Sequence, residues 1–232
     1  MLIASPEKTP VLDEQEIFGK LPLEGARILE LGCGKAEKTR LLAQKAESVL
    51  ALEVDEIQLE NNRQIADLPN VTFDRGGAEA IPAKDASFDI VMMFKSLHHV
   101  PMDMMDKAFH EIKRVLKPGG YAYISEPVYA GDFNEILKLF HDERLVREAA
   151  FEAVKKAAST GLLELVWQEF FATPMHFENF GDYENKVLKV THTNHNLSPA
   201  LLAEVREKFE KHMTASGADF LMPIRVDLLR KS

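Results

Sequence analysis

The run Ile28-Leu29-Glu30-Leu31-Gly32-Cys33-Gly34-Lys35-Ala36-Glu37 sets an apolar strand, a tight glycine turn and a helix start end to end. Gly32 and Gly34 have no side chain, so the backbone can turn sharply there and a ligand can approach it closely. The chain is thereby committed to a strand-turn-helix unit with an accessible turn. A strand-Gly-x-Gly-helix is also an ordinary connection between a strand and a helix, and the rest of the chain has to decide between the two.

The following stretches alternate in kind. Arg27 to Leu31 reads as a strand, Glu37 to Ala46 as a helix, Ser48 to Val54 as a strand and Glu56 to Ala66 as a helix. Val71 to Phe73 reads as a third strand, and Phe88 to Phe94, nearly all apolar, as a fourth buried on both faces. A helix over Asp103 to Leu116 is stopped by Lys117-Pro118-Gly119-Gly120, and Tyr121 to Ser125 is the fifth strand. Alternation of this kind builds a parallel sheet with helices on both faces.

After Pro127 the rhythm changes. Asn134 to Ala158 reads as one long helix, Phe170 to Phe177 as a strand, and Ser198-Pro199 as a capped helix start, with Gly217 as its end. Ile224 to Leu229 suits a final strand with Pro223 at its start. Ahead of the first strand, Val11 to Gly19 reads as a short amphipathic turn or two that covers an edge of the core. The fold class expected is a Rossmann-like, doubly wound, mostly parallel sheet of seven strands with helices on both faces. A single domain, 1–232, would have its core at 25–130 and 197–232, with a lid or insertion at 131–196. That insertion carries Trp167, Phe170, Phe171, Phe177, Phe180 and Tyr183, most of them suited to a small core of their own and a few to covering a small organic ligand.

Composition narrows the partners. A formal net charge of -9 repels a phosphate backbone and disfavours nucleic acid. The single cysteine, Cys33, rules out an internal disulfide framework and a cysteine-built metal cage, in keeping with a cytoplasmic setting. No apolar run approaches the roughly 18 residues that cross a bilayer, so neither a membrane nor a secreted setting is expected.

Glu37 separates the possible nucleotides. In a dinucleotide fingerprint a third glycine would stand there, close to a pyrophosphate, and a carboxylate would repel that group. Glu53 ends the second strand about 20 residues after Gly34, the offset at which an acid accepts hydrogen bonds from ribose hydroxyls, with Asp55 as the nearby competitor. These features favour a nucleoside without a phosphate.

The set resembles the class I S-adenosylmethionine (SAM)-dependent methyltransferases, in particular their "type 11" small-molecule branch. Glu30-Leu31-Gly32-Cys33-Gly34 is similar to the family's first motif, and Leu50-Ala51-Leu52-Glu53-Val54-Asp55 to its second strand with the ribose acid. Gly76-Gly77-Ala78-Glu79-Ala80-Ile81-Pro82 is similar to the adenine-side loop and Ser87-Phe88-Asp89-Ile90-Val91 to the fourth strand. Leu97-His98-His99-Val100 and Arg114-Val115-Leu116-Lys117-Pro118-Gly119-Gly120 complete the series, which covers Ile28 to Pro127.

The resemblance implies SAM lying across the carboxyl ends of strands one, two and four. Glu30 and the backbone of Gly32, Cys33 and Gly34 would face the methionine portion, Glu53 the ribose, and Ala78 and Glu79 the adenine, with Val54 also in the cofactor site. Phe94 and Lys95 would meet the methionine ammonium through a backbone carbonyl. Two positions depart from the pattern: Ala36 stands where the family often has a third glycine, and Gly77 where it has the acid that touches the adenine amino group. Adenine recognition then falls to the Ala78 amide and to Glu79 or Asp74.

Methyl transfer needs alignment rather than a metal or a covalent intermediate. His98 and His99 are the candidate catalytic bases, and Glu126 and Tyr129 candidate lining residues, all on the ligand-binding side of the sheet. His176, His192 and His195 lie near Pro174 and Asn194 in apparent loops, with no acidic partner at helical spacing, so no metal is expected there. A small-molecule methyl acceptor leads. The alternatives are transfer to RNA or protein, SAM binding without transfer, and a nicotinamide oxidoreductase, against which Glu37 stands.

Overall fold

A computed structural model of the chain describes residues 1–4, 9–189 and 197–232. A short helix α1 (Glu14–Phe18) precedes five strands: β1 (Arg27–Leu31), β2 (Ser48–Glu53), β3 (Val71–Arg75), β4 (Phe88–Phe94) and β5 (Leu116–Pro127). Helices α2 (Glu37–Ala43), α3 (Glu56–Arg63) and α4 (Met105–Val115) connect them. Then follow α5 (Asp132–Leu137), α6 (Arg144–Ser159), β6 (Glu164–Phe177), α7 (Phe180–Tyr183), α8 (Pro199–Glu210), the two-residue β7 (Met213–Thr214) and β8 (Gly217–Arg230).

The strands form one sheet in the order β3-β2-β1-β4-β5-β8-β6, with β7 paired only to β8. Strands β1 to β5 run parallel, and β8 lies antiparallel to both β5 and β6. This is the expected seven-stranded, mostly parallel sheet, extended by one short strand. The chain leaves β1 toward β2 and β3, then returns to lay β4 on the other side of β1. That reversal opens a crevice at the carboxyl ends of β1 and β4, where sheets of this kind hold ligands.

Alternate residues of the central strands feed two cores. Leu29, Leu31, Val91, Met93, Ala122 and Ile124 pack with α4 and α6 on one face. Ile28, Ile90, Met92 and Tyr123 pack with Ile17 and Phe18 of α1 and Leu42 of α2 on the other. Each fully buried aliphatic or aromatic side chain contributes roughly 1.5–3 kcal/mol. On α4, Met105, Ala108, Phe109, Ile112 and Val115 recur at helical spacing and are all buried.

Four expectations change. The long helix over Asn134 to Ala158 is two helices, α5 and α6, because Asp142 accepts the Arg144 amide at 3.0 Å and starts a new helix at a polar run. The insertion is smaller than 131–196, since β6 within it forms the edge of the main sheet. Gly217 does not end α8, which stops at Glu210; with φ +111° it closes the β7-β8 hairpin. Pro223 lies inside β8 rather than at its start, beyond the last pairing with β5, Pro127 with Ile224.

Phe177, Phe180 and Tyr183 of the expected aromatic group form a third core with Phe133, Phe209 and Phe220. Phe171 and Trp167 instead join the face packed by α1 and α2.

Candidate functional site

The turn after β1 is fixed by its own amides. Those of Gly32 and Cys33 both donate to the Leu52 carbonyl, at 2.9 and 3.1 Å, drawing the turn over the end of β2. Gly32 (φ +75°) is required by contact, because a Cβ there would lie 2.7 Å from the Ser96 Cβ. Gly34 (φ +50°) faces open space, with nothing within 4 Å of a Cβ placed on it. Ala36 adopts φ +60°, the left-handed backbone that glycine takes most easily, at the position where the related family often has its third glycine.

Glu53 ties the turn to the end of β2. One carboxylate oxygen accepts the Gly34 amide at 2.8 Å, and the other accepts the amides of Val54 at 2.8 Å and Asp55 at 3.0 Å. A carboxylate has about four acceptor sites, so Glu53 keeps capacity for a further donor beside Gly34. Asp55, the competitor, caps α3 by accepting the Ile57 and Gln58 amides at 2.9 and 3.2 Å.

A residue outside the sequence expectations completes the turn. Asn62 of α3 is buried and donates from Nδ2 to the Gly34 carbonyl at 2.7 Å and toward Cys33 Sγ at 3.5 Å, while its Oδ1 accepts from Gln58 at 2.9 Å. Its only trace in the sequence is a polar residue three positions after Leu59, on the same buried helix face. Burial, followed by the Glu30 and Glu53 carboxylates, pushes the Cys33 thiol up, so the sulfur is protonated and not a nucleophile.

Glu30 lies beneath the turn and is 1% exposed. It accepts from Thr39 Oγ1 at 2.6 Å. Burial pushes its carboxyl up to about 7, against the opposing pull of the Thr39 bond and of Lys38 and with a smaller push from Glu53. Lys38 in turn pairs with Glu14 of α1 at 3.5 Å and lies over the rings of Phe18 and Phe94, at 5.6 and 5.9 Å from their centroids. Helix α1 is thus held against the turn, with Phe18 edge-on to Phe94 at 5.4 Å.

Across the crevice, Lys95 directly after β4 also adopts a left-handed backbone (φ +54°), and Ser96 Oγ donates to the Leu31 carbonyl at 2.7 Å. In the adenine-side loop Ala78 is buried, and a Cβ on Gly77 would lie 2.5 Å from both Glu79 carboxylate oxygens. The Glu79 carboxylate therefore occupies the space that a side chain at position 77 would take. Asp74 Oδ1 accepts the Arg75 amide at 2.8 Å and lies 3.9 Å from the exposed Arg63 guanidinium.

The two adjacent histidines have different surroundings. His98 is buried, and its Nδ1 lies 2.6 Å from Glu126 Oε2, while Glu126 Oε1 accepts the Leu97 amide at 2.9 Å. His98 Nε2 faces Glu143 Oε1 at 3.6 Å, and Glu143 Oε2 binds Arg147 at 2.5 Å. Burial opposes the charged imidazole, but Glu126 and Glu143 outweigh it, so the His98 pKa is raised. Burial likewise opposes the Glu143 carboxylate, and His98 and Arg147 outweigh it, so that pKa is lowered. His99 is exposed, with its ring 4.1 Å from that of His98. Glu143 and Arg147 were not among the expected site residues, although their i,i+4 spacing is a readable helix ion pair.

His176 is not in a loop: it lies in β6 with its Nδ1 2.8 Å from Asp219 on the neighbouring strand. His192 and His195 lie outside the described residues. No helix among the described residues is long and apolar enough to cross a membrane.

Residues 29–124 match the methyltransferase domain family. A 27-O-demethylrifamycin SV methyltransferase of Amycolatopsis mediterranei is 39% identical over 113 residues, covering 45% of this chain and 40% of that protein. An uncharacterized methyltransferase of Synechocystis sp. is 33% identical over 112 residues, covering 46% of this chain and 52% of the relative. The chain thus spans about half, or less, of the length of the curated relatives it matches. The structure of the YcgJ protein of Bacillus subtilis superposes with a TM-score of 0.63 at 16% identity, over 93% of this chain and 96% of that one. The cyclase SpnF superposes with a TM-score of 0.61 at 18% identity, over 98% and 88%. These two likenesses show the fold alone. The ordered motifs, the domain match over residues 29–124 and the methyltransferase relatives make this part of the chain similar to the SAM-dependent methyltransferases.

Proposed function

We propose that the protein binds SAM across the carboxyl ends of β1, β2 and β4 and passes its methyl group to a small-molecule acceptor. The observation that carries this reading is the Gly34-Glu53 pair, an open glycine backbone beside a carboxylate with acceptor capacity left over. The residues fit the cofactor: Glu53 and Val54 receive the ribose, Glu30 with Gly32, Cys33 and Gly34 the methionine portion, Ala78 and Glu79 the adenine, and Phe94 with Lys95 the ammonium side. Glu79 takes the part that an acid at position 77 would otherwise play.

When bound, SAM supplies an electrophilic methyl group whose transfer needs alignment and exclusion of water more than covalent help. Helix α1, pinned through Lys38, closes one side of that space. His98 and His99 prepare the acceptor: His98, held by Glu126, is a positioning residue, and His99 is the imidazole that faces outward to the acceptor. The small-molecule class draws on the rifamycin-modifying relative, and the net charge of -9 counts against RNA. No membrane partner is invoked, and a cytoplasmic setting fits the single buried cysteine.

Incubation with labelled SAM and a panel of small hydroxyl, amine and thiol acceptors tests the reading. Formation of S-adenosylhomocysteine that depends on an acceptor supports it. SAM binding with no transfer to any acceptor favours a second reading, a binding protein without transferase activity.

A further inference from the structure

His98 and His99, given a part in preparing the acceptor above, also meet the carboxylate at the start of α6 in a metal-ligating constellation. His98, His99 and Glu143 bring three potential ligand atoms within 4.8 Å of one another. From this grouping we infer that the protein holds a divalent transition metal of the zinc type between His98 Nε2, His99 and Glu143 Oε1. The inference does not depend on methyl transfer being the activity.

The tautomer of His98 is set by its neighbours. A carboxylate only accepts hydrogen bonds, so the 2.6 Å contact with Glu126 puts the proton on Nδ1. In the neutral ring Nε2 is then a lone pair facing Glu143 Oε1 at 3.6 Å. In that neutral form two acceptors face each other, and a cation between them, a proton on Nε2 or a metal ion, satisfies both. A carboxylate holding the far nitrogen of a ligating histidine is a recurrent outer support of metal sites.

The spacing suits the ion. Zinc bonds of about 2.0–2.1 Å in tetrahedral geometry place ligand atoms about 3.3 Å apart. The distance from Glu143 Oε1 to His98 Nε2, 3.6 Å, lies close to that value, and the three ligand atoms all fall within 4.8 Å of one another. Arg147 holds the other Glu143 oxygen, while Oε1 is shared between His98 Nε2 and His141 Nε2, 3.1 Å away, and keeps a further lone pair for the ion. Glu126 and Glu143 against Arg147 leave one uncompensated negative charge among these groups when His98 is neutral, and a cation offsets it. Two histidines and one carboxylate leave coordination open, and the site lies by the turn after β4, where the acceptor is expected.

Untagged full-length protein, stripped with chelator and dialysed, is titrated with Zn2+ by calorimetry, and the visible spectrum is followed on adding Co2+. One equivalent of Zn2+ and the absorption of tetrahedral Co2+ are expected. His99→Ala, at an exposed position, should abolish both while leaving the thermal unfolding profile intact. Glu126→Gln should weaken Zn2+ binding by about 10- to 100-fold. No stoichiometric Zn2+ binding, or the same affinity in His99→Ala, overturns the inference and leaves His98 as an imidazolium paired with the two carboxylates. Neither readout involves SAM, so failure here is distinct from failure of the methyltransferase reading.

Discussion

Gly34 donates its amide to the Glu53 carboxylate across 2.8 Å, joining the turn after β1 to the end of β2 at the point where the sheet opens. Glu53→Ala removes the anchor of the turn together with the proposed ribose acceptor. A hydrogen bond to a charged group is worth about 1.5–3 kcal/mol, so SAM affinity should fall by roughly 10- to 100-fold. Calorimetric titration of the variant checks this, and an unchanged affinity removes Glu53 from the cofactor site.

Asn62 acts on the same turn from behind. Asn62→Ala leaves the Gly34 carbonyl without its 2.7 Å donor and should destabilise the fold by about 1–3 kcal/mol. The variant should also raise the KM for SAM more than it lowers kcat, because it disturbs the shape of the turn and touches no reacting atom. A fall in kcat at unchanged KM would mean that Asn62 has a different role.

Much of this arrangement was legible in the sequence. The apolar runs of β1, β2 and β4 and the glycines between β1 and α2 are local signals, and their offset to Glu53 survives folding. What could not be read depends on distant partners. Glu143 gains its meaning only by meeting His98, which lies in a different part of the chain, and a continuous helical pattern hid the break that turns it inward. β6 was only half read, because its first residues are partly exposed along the sheet edge and lack a strong alternating pattern.

The pH profile of the unliganded protein should carry the signature of Glu30. Its folded pKa is raised from 4.5 to about 7, so the protonated form is the one the fold prefers. The stability it contributes is full below pH 4.5 and is lost as pH rises through 7, a difference on the order of 3 kcal/mol. The unfolding temperature should therefore decline between pH 5 and pH 8, and Glu30→Gln should flatten that decline. If the methionine ammonium settles near Glu30, SAM binding near pH 7 should also release a proton, seen as a dependence of the binding enthalpy on the buffer.

The two histidines should separate in mutants. His99→Phe should lower kcat while leaving SAM affinity intact, since the proposal gives the exposed ring to the acceptor. His98→Phe leaves Glu126 buried without its partner and should destabilise the fold by about 3–5 kcal/mol, read by chemical denaturation. Normal turnover in His99→Phe would take that residue out of the reaction.

Calorimetric titration of the purified protein with SAM and S-adenosylhomocysteine, with NAD as the control, tests the central claim most directly. Micromolar binding of both sulfur compounds with none of NAD is the expected result. Absence of SAM binding, or binding of NAD in its place, would contradict the reading of the Gly34-Glu53 turn as a SAM site.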